Sequence, residues 1–219
     1  KLEIEGIKHK WNKENLIEEK MEVALNKIKG VDKDYFLSKV AKAYMAIIGD
    51  GKSGIVCEDT LEKSENWNEK TKAKIQLNYN ISVLLTNPPF GSKISVRGEE
   101  KLKQYELAYK WKKDKETNRW IKTTKLKDKE APQILFIERC IQLLKNGGRT
   151  GIVLPDGIFG NESLGYLRQW LLTQGRIVAI IDVPIETFMP NTSTKTSILI
   201  FQKLEQKDIV KNYPVFMAG

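Results

Sequence analysis

Ile81-Ser82-Val83-Leu84-Leu85-Thr86-Asn87-Pro88-Pro89-Phe90 is the stretch from which the chain is best understood. Its first six residues are apolar and β-branched, and they read as a strand. Two prolines then end it. Proline donates no N–H and turns the residue before it away from helical dihedrals, so the chain leaves the strand stiff and extended, with carbonyls to spare. An amide side chain opens this turn and an aromatic ring closes it. Such a turn can accept hydrogen bonds from an amino group and cover a flat ring.

Working outward, short apolar runs alternate with helix-patterned segments. Upstream, residues 28–32 and 54–59 are strand-like runs that finish on Asp32 and Asp59. Between them Phe36, Val40, Tyr44, Ile47 and Ile48 recur at helical spacing. The charged segment 1–28 carries apolar residues at roughly the same period. Downstream, a helix from Pro132 to Leu144 precedes a strand, Thr150–Leu154. A helix from Ser163 to Leu172 precedes the strand Ile177–Asp182, and Thr196–Phe201 forms another strand. Strands separated by helices of ten to fifteen residues predict an α/β fold with a mainly parallel sheet and helices on both faces.

In such sheets ligands bind beyond the carboxyl ends of the strands. Acids placed there, as Asp32 and Asp59 are, can accept from ribose hydroxyls and from an adenine amino group. Asn87 to Phe90 falls on the same kind of edge. An amine conjugated to a purine ring is a poor nucleophile, because its lone pair is delocalised. If the Asn87 side-chain oxygen and the Pro88 carbonyl both accept its N–H bonds, the lone pair is drawn toward an electrophile. Positioning and fixed dipoles then carry the rate. Phe90 can stack on a base that has left its duplex. Gly49-Asp50-Gly51-Lys52-Ser53-Gly54 has the spacing of a dinucleotide loop. It follows a helix and precedes a strand, which is the wrong order for binding phosphate, and it reads as a connection.

The chain has 219 residues, 41% of them hydrophobic, five tryptophans and a formal net charge of +9. It is long enough for one domain with a substantial core. The basic balance suggests a polyanionic partner, nucleic acid above all. No run reaches the length of a membrane span, and a cytoplasmic location is expected. One histidine, His9, makes serine–histidine catalysis and histidine-rich metal sites improbable; no metal ligands are assigned. Cys57 and Cys140 read as buried structural thiols. Residues 92–130 interrupt the alternation with thirteen Lys or Arg against seven Asp or Glu, interleaved with Tyr105, Tyr109, Trp111 and Trp120. This basic excursion is either a surface for DNA phosphates or a solvated insertion.

Asn87-Pro88-Pro89-Phe90 after ISVLLT resembles the catalytic motif of amino-group DNA methyltransferases that use S-adenosylmethionine. Its surroundings are similar to the modification (M) subunit of type I restriction-modification systems. The segments NPPFGSKISVRGEEKLKQYELAYKWKKD, APQILFIERCIQLLKNGGRTGIVLPDGIF, TSTKTSILIFQK, KGVDKDYFLSKVAKAYMAIIGDGKSGIVCEDTL and YPVFMA carry that resemblance, from about residue 25 to the end. It implies a Rossmann-like methyltransferase fold and N6 methylation of adenine in double-stranded DNA. Asn87, Pro88, Pro89 and Phe90 would form the catalytic loop. S-adenosyl-L-methionine would be the cofactor, with Asp32 on its ribose and Asp59 on its adenine. The implied partners are specificity and restriction subunits and a second M subunit.

The family also carries a glycine-rich F-x-G-x-G loop ahead of the position of Asp32. Only Gly6 and Gly30 precede Asp32 here. The chain is therefore expected to be part of a catalytic domain, lacking the first strand and its loop, and inactive in isolation. Two alternatives stay open: a related enzyme of the same motif acting on RNA or on a protein glutamine, and a non-catalytic nucleic-acid-binding remnant.

Overall fold

The structure, a computed structural model, describes residues 12–47, 54–75, 80–90, 94–190, 192–210 and 212–219. The loop at 49–53 and His9 lie outside the described residues. The chain divides into two compact units, residues 1–76 and 77–219.

In the first unit Asn12 caps helix α1 (Lys13–Lys27), its side chain accepting from the Asn15 N–H at 2.7 Å. Strand β1 (Gly30–Asp32) follows. Asp34 then caps α2 (Tyr35–Ile47) by accepting from the Leu37 N–H at 2.8 Å. Strand β2 (Ile55–Cys57) lies parallel to β1, with Asp32 opposite Cys57. A short helix, α3 (Glu69–Lys74), is capped by Asn68. Among its described residues Val56, Leu61, Trp67 and Ile75 are the buried apolar ones. On α2 it is Ser38 that is buried, while Phe36, Val40, Tyr44 and Ile47 are exposed. Two three-residue strands offer too little surface to cover that helical stripe. Cys57 is half-buried, not buried, its thiol 3.6 Å from the Lys33 carbonyl.

The second unit begins with β3 (Ile81–Thr86). The excursion is ordered into elements of its own: β4 (Val96–Arg97), α4 (Glu99–Leu102), β5 (Tyr109–Lys113), β6 (Trp120–Leu126) and β7 (Lys129–Glu130). Strands β4 and β7 pair antiparallel, and β5 and β6 form an antiparallel hairpin.

Helix α5 (Pro132–Leu143) starts with proline at its first turn, where no N–H is missed. Lys203 Nζ caps its far end, donating to the carbonyls of Ile141 and Leu144 at 2.8 Å each. Strand β8 (Leu144–Pro155) starts directly from the helix, six residues earlier than its apolar run suggests. Then come α6 (Gly157–Gly160), α7 (Gly165–Gln174), β9 (Gly175–Val183), β10 (Thr196–Lys203) and β11 (Phe216–Ala218).

The main sheet has the order β11-β9-β10-β8-β3. Strand β3 is parallel to β8, and β11 to β9, while β10 runs antiparallel to both its neighbours. Four of the five strands thus share one direction, and the reversed one is the Thr196 strand. Its core face is sealed by α5, through Ile134, Ile137, Cys140 and Ile141, and by α7, through Leu167, Trp170 and Leu171. These pack on Ile152, Leu154, Leu199 and Phe201. The predicted α/β architecture is the observed one.

Candidate active site

Strand β3 delivers Asn87 to the carboxyl edge of the main sheet. Thr86 lies opposite Ile152 of β8, so the Asn87 turn and the Pro155-Asp156-Gly157 turn leave the sheet on the same side. Within the turn Pro88 is buried, Phe90 is half-buried, and Asn87 and Pro89 are exposed. The buried proline anchors the turn and leaves the Asn87 residue open to solvent.

Phe90 has an aromatic neighbour that the sequence did not single out. Phe188, in the 3-10 turn Ile185–Phe188 after β9, meets it edge to face with ring centroids 6.4 Å apart. The two rings form one aromatic pair at this end of the turn. Nothing in the local pattern of Phe188 distinguishes it from a core aromatic; only the sheet order brings it to this edge.

Four more polar residues tie the strand ends together. The buried Ser197 hydroxyl bridges Asp156 Oδ1 at 2.7 Å and Asp182 Oδ1 at 3.0 Å. Lys195 Nζ lies 2.7 Å from Asp182 Oδ2 and 3.6 Å from Asp156 Oδ2. Lys195, then Ser197, hold the Asp182 carboxyl below its usual range. The cluster fastens the ends of β8 and β9 to the start of β10. Its sequence signal was an acid at each strand exit, which is weak without the topology.

In the first unit Asp32 and Asp59 come to one edge of the β1–β2 pair. Asp32 is exposed, with Oδ1 accepting from the Asp34 N–H at 2.7 Å. Asp59 Oδ1 accepts from the Leu61 N–H at 3.0 Å, and Lys33 Nζ is 3.0 Å from its Oδ2. The two acids and the Asn87 turn belong to different units.

The excursion is held to the second unit by aromatic packing. Trp111 stacks on Tyr166 at 5.8 Å, and Trp120 meets the same ring at 6.0 Å. Glu138 of α5 accepts from the N–H groups of Glu106 and Leu107 at 2.8 and 2.9 Å. Burial pushes its carboxyl up to about 7, against the pull of those two bonds.

A Rossmann-like sheet with an Asn-Pro-Pro-Phe turn at its carboxyl edge defines a class, that of the amino-group methyltransferases. Residues 10–218 match the family model described as N-6 DNA Methylase, and the chain belongs to that family. Among curated proteins it is 28% identical over 148 residues to the type I restriction enzyme EcoEI methylase subunit of Escherichia coli, covering 67% of this chain and 24% of that protein. The chain thus spans about a quarter of the length of this relative.

Among solved structures it is similar to the type ISP restriction-modification enzyme LlaGI in complex with a DNA substrate mimic. The TM-score is 0.70 at 17% identity, over 98% of this chain and 22% of that one. It is also similar to the M protein of the type I restriction enzyme EcoKI, with TM-score 0.57 and 18% identity, over 91% of this chain and 35% of that one. These two likenesses establish the fold.

Proposed function

We propose that this chain carries the catalytic edge of a type I modification subunit, which methylates the N6 amino group of adenine in duplex DNA. The observation that carries the reading is the Asn87-Pro88-Pro89-Phe90 turn, placed by a buried proline at the carboxyl edge with Phe188 against Phe90. The Asn87 side-chain oxygen and the Pro88 carbonyl accept the two N–H bonds of the adenine amine and orient its lone pair outward. Phe90 and Phe188 hold the flipped base by its flat faces and edges, with water excluded on that side.

S-adenosyl-L-methionine, when bound, supplies the methyl group, whose bond to sulfur breaks as its bond to N6 forms. The amine proton then passes to water. The acids of the first unit suit that cofactor. Asp32 is exposed, with one oxygen committed to the backbone, and can accept from ribose hydroxyls. Asp59, half-buried and steadied by Leu61 and Lys33, can accept from the adenine amine. The partners that fit this reading are duplex DNA, a specificity subunit, a restriction subunit and a second modification subunit. A cytoplasmic location fits this reading. Among the described residues no helix is long and apolar enough to cross a membrane.

The test is methyl incorporation by the full-length protein offered DNA, RNA and protein in parallel. DNA alone should be labelled, at adenine N6. Asn87→Ala should lower the rate at least about a hundredfold while binding of DNA persists. Label on RNA or on a glutamine amide, or an Asn87→Ala enzyme of unchanged rate, would overturn the reading.

A further inference from the structure

We propose that the β5–β6 hairpin is a preformed ridge that grips the phosphate backbone of duplex DNA beside the catalytic turn. The proposal rests on the reading above of the chain as a DNA-modifying enzyme. Residues 109–126 hold seven Lys or Arg against two Asp or Glu, a net of +5. A two-stranded hairpin is marginal on its own in water, yet this one is fixed. Its inner face, Trp111 and Trp120, packs on Tyr166. The Gln169 amide of α7 lies along β6 like a neighbouring strand, accepting from the Trp120 N–H at 2.8 Å and donating to the Trp120 carbonyl at 2.7 Å.

The turn is equally defined. Asp114 Oδ1 accepts from the N–H groups of Glu116 and Thr117 and from the Thr117 hydroxyl, while Asn118 takes the left-handed conformation at φ 56°. One of the two acids is thereby spent on the turn.

What the anchoring leaves outward is cationic. Lys110, Lys112, Lys113, Lys115, Arg119 and Lys125 are exposed, and none enters a salt bridge among the described residues. Lys122 pairs with Glu106 at 3.2 Å. A solvated insertion has no need of two tryptophans packed on a tyrosine and a bidentate amide to fix its direction. Like charges held together on a rigid strand pair repel one another, and a polyanion relieves that repulsion.

Placement agrees. Helix α7 begins at Gly165, soon after β8 has left the sheet at Pro155. The Trp120 indole fills the space beside Gly165, its Nε1 only 2.7 Å from where a Cβ would stand. The turn end of the hairpin thus flanks the sheet edge from which Asn87 emerges. Because the ridge is ordered beforehand, DNA binding need not supply the cost of ordering it.

The experiment uses the full-length protein assembled with its partner subunits and carrying Lys112→Gln, Lys113→Gln and Lys115→Gln together. Duplex affinity is read across a salt series, alongside methylation kinetics; Lys207→Gln serves as a surface control. Removing one lysine–phosphate pairing should flatten the slope of log affinity against log salt by about 0.9, so the triple variant should lose up to about 3. KM for DNA should rise by roughly ten- to a hundredfold with kcat kept, since these side chains touch no reacting atom. An active triple variant with the wild-type slope overturns the ridge and leaves the catalytic reading intact. So does loss of subunit assembly at unchanged slope, which would assign the ridge to a protein partner. Wild-type protein that binds duplex DNA without methylating it overturns the catalytic reading alone, because the slope still reports on the ridge.

Discussion

The Phe90 ring stands edge-on to the Phe188 ring, with planes at 83° and centroids 6.4 Å apart. These residues are far apart in sequence and leave the sheet from different strands. Neither needs the other for the core, which lies on the face built from α5, α7 and the central strands. If the two rings line the base site proposed above, Phe188→Ala should fold normally and hold an extruded base less well. Base–aromatic contacts are worth about 1–3 kcal/mol each, so kcat/KM for DNA should fall roughly ten- to a hundredfold. Fluorescence of 2-aminopurine at the target position should report less flipping. Unaltered flipping in Phe188→Ala would remove this ring from the site.

Ser197 is the shared donor for Asp156 and Asp182. Ser197→Ala leaves the two carboxylates facing each other with only Lys195 between them. The unfolding midpoint should drop, and more so at low salt, because repulsion between the acids is then less screened. Ser197→Thr, which keeps the hydroxyl, should recover most of the loss. If alanine and threonine behave alike, the hydroxyl is not what joins these strands.

Glu138 gives the excursion a pH dependence. Its folded carboxyl titrates near 7, above the 4.5 of an open chain, with desolvation as the main cause. The neutral form is the one the fold prefers. Its contribution to stability is full below about pH 4.5 and disappears as pH rises through about 7. Around it, Glu106 repels the charged form, Gln142 donates to it, and the Arg139 guanidinium is taken up by Tyr105 and Gln104. Relative to Glu138→Gln, the wild type should lose up to roughly 3 kcal/mol between pH 4.5 and 8. Thermal melts of both proteins across that range provide the check, and a wild type that gains over the variant would reverse the assignment.

The two thiols should react at very different rates. Burial pushes the Cys140 thiol up to about 12, and the residue is 2% exposed. Cys57 is half-buried at the end of β2. A thiol reagent at pH 8 should modify Cys57 in the native protein, and Cys140 only as fast as the second unit opens. Mass spectrometry of a labelling time course separates the two. Equal rates would mean that the α5 face opens freely.

How much of this was legible beforehand varied with the physics of each element. Strands β3, β9 and β10 and helix α5 showed themselves because buried strands are apolar runs and a core-facing helix repeats its apolar residues every third or fourth position. The Asn87–Phe90 turn is legible for a stronger reason, since two prolines after a strand permit few backbone conformations. The hairpin was not: its outer residues are lysines, and its inward tryptophans are too few to set a clear alternation. The stripe on α2 marks a helical face, but a periodic pattern does not say what covers it. Phe188 and the Ser197 cluster were invisible in the chain order, because their meaning depends on which strands lie side by side.

The position of β10 has a bearing on how the second unit comes into being. Strands β8 and β9 each pair with β10 and not with one another. During synthesis both emerge before the strand that joins them. A nascent chain that has reached Val183 holds two apolar strands with no shared partner, and its helices lack the Leu199 and Phe201 on which they will rest. The unit should therefore mature in one late step, when residues 196–203 clear the ribosome and slip between strands already made. Until then the unpaired edges of β8 and β9 are open to pairing with another chain.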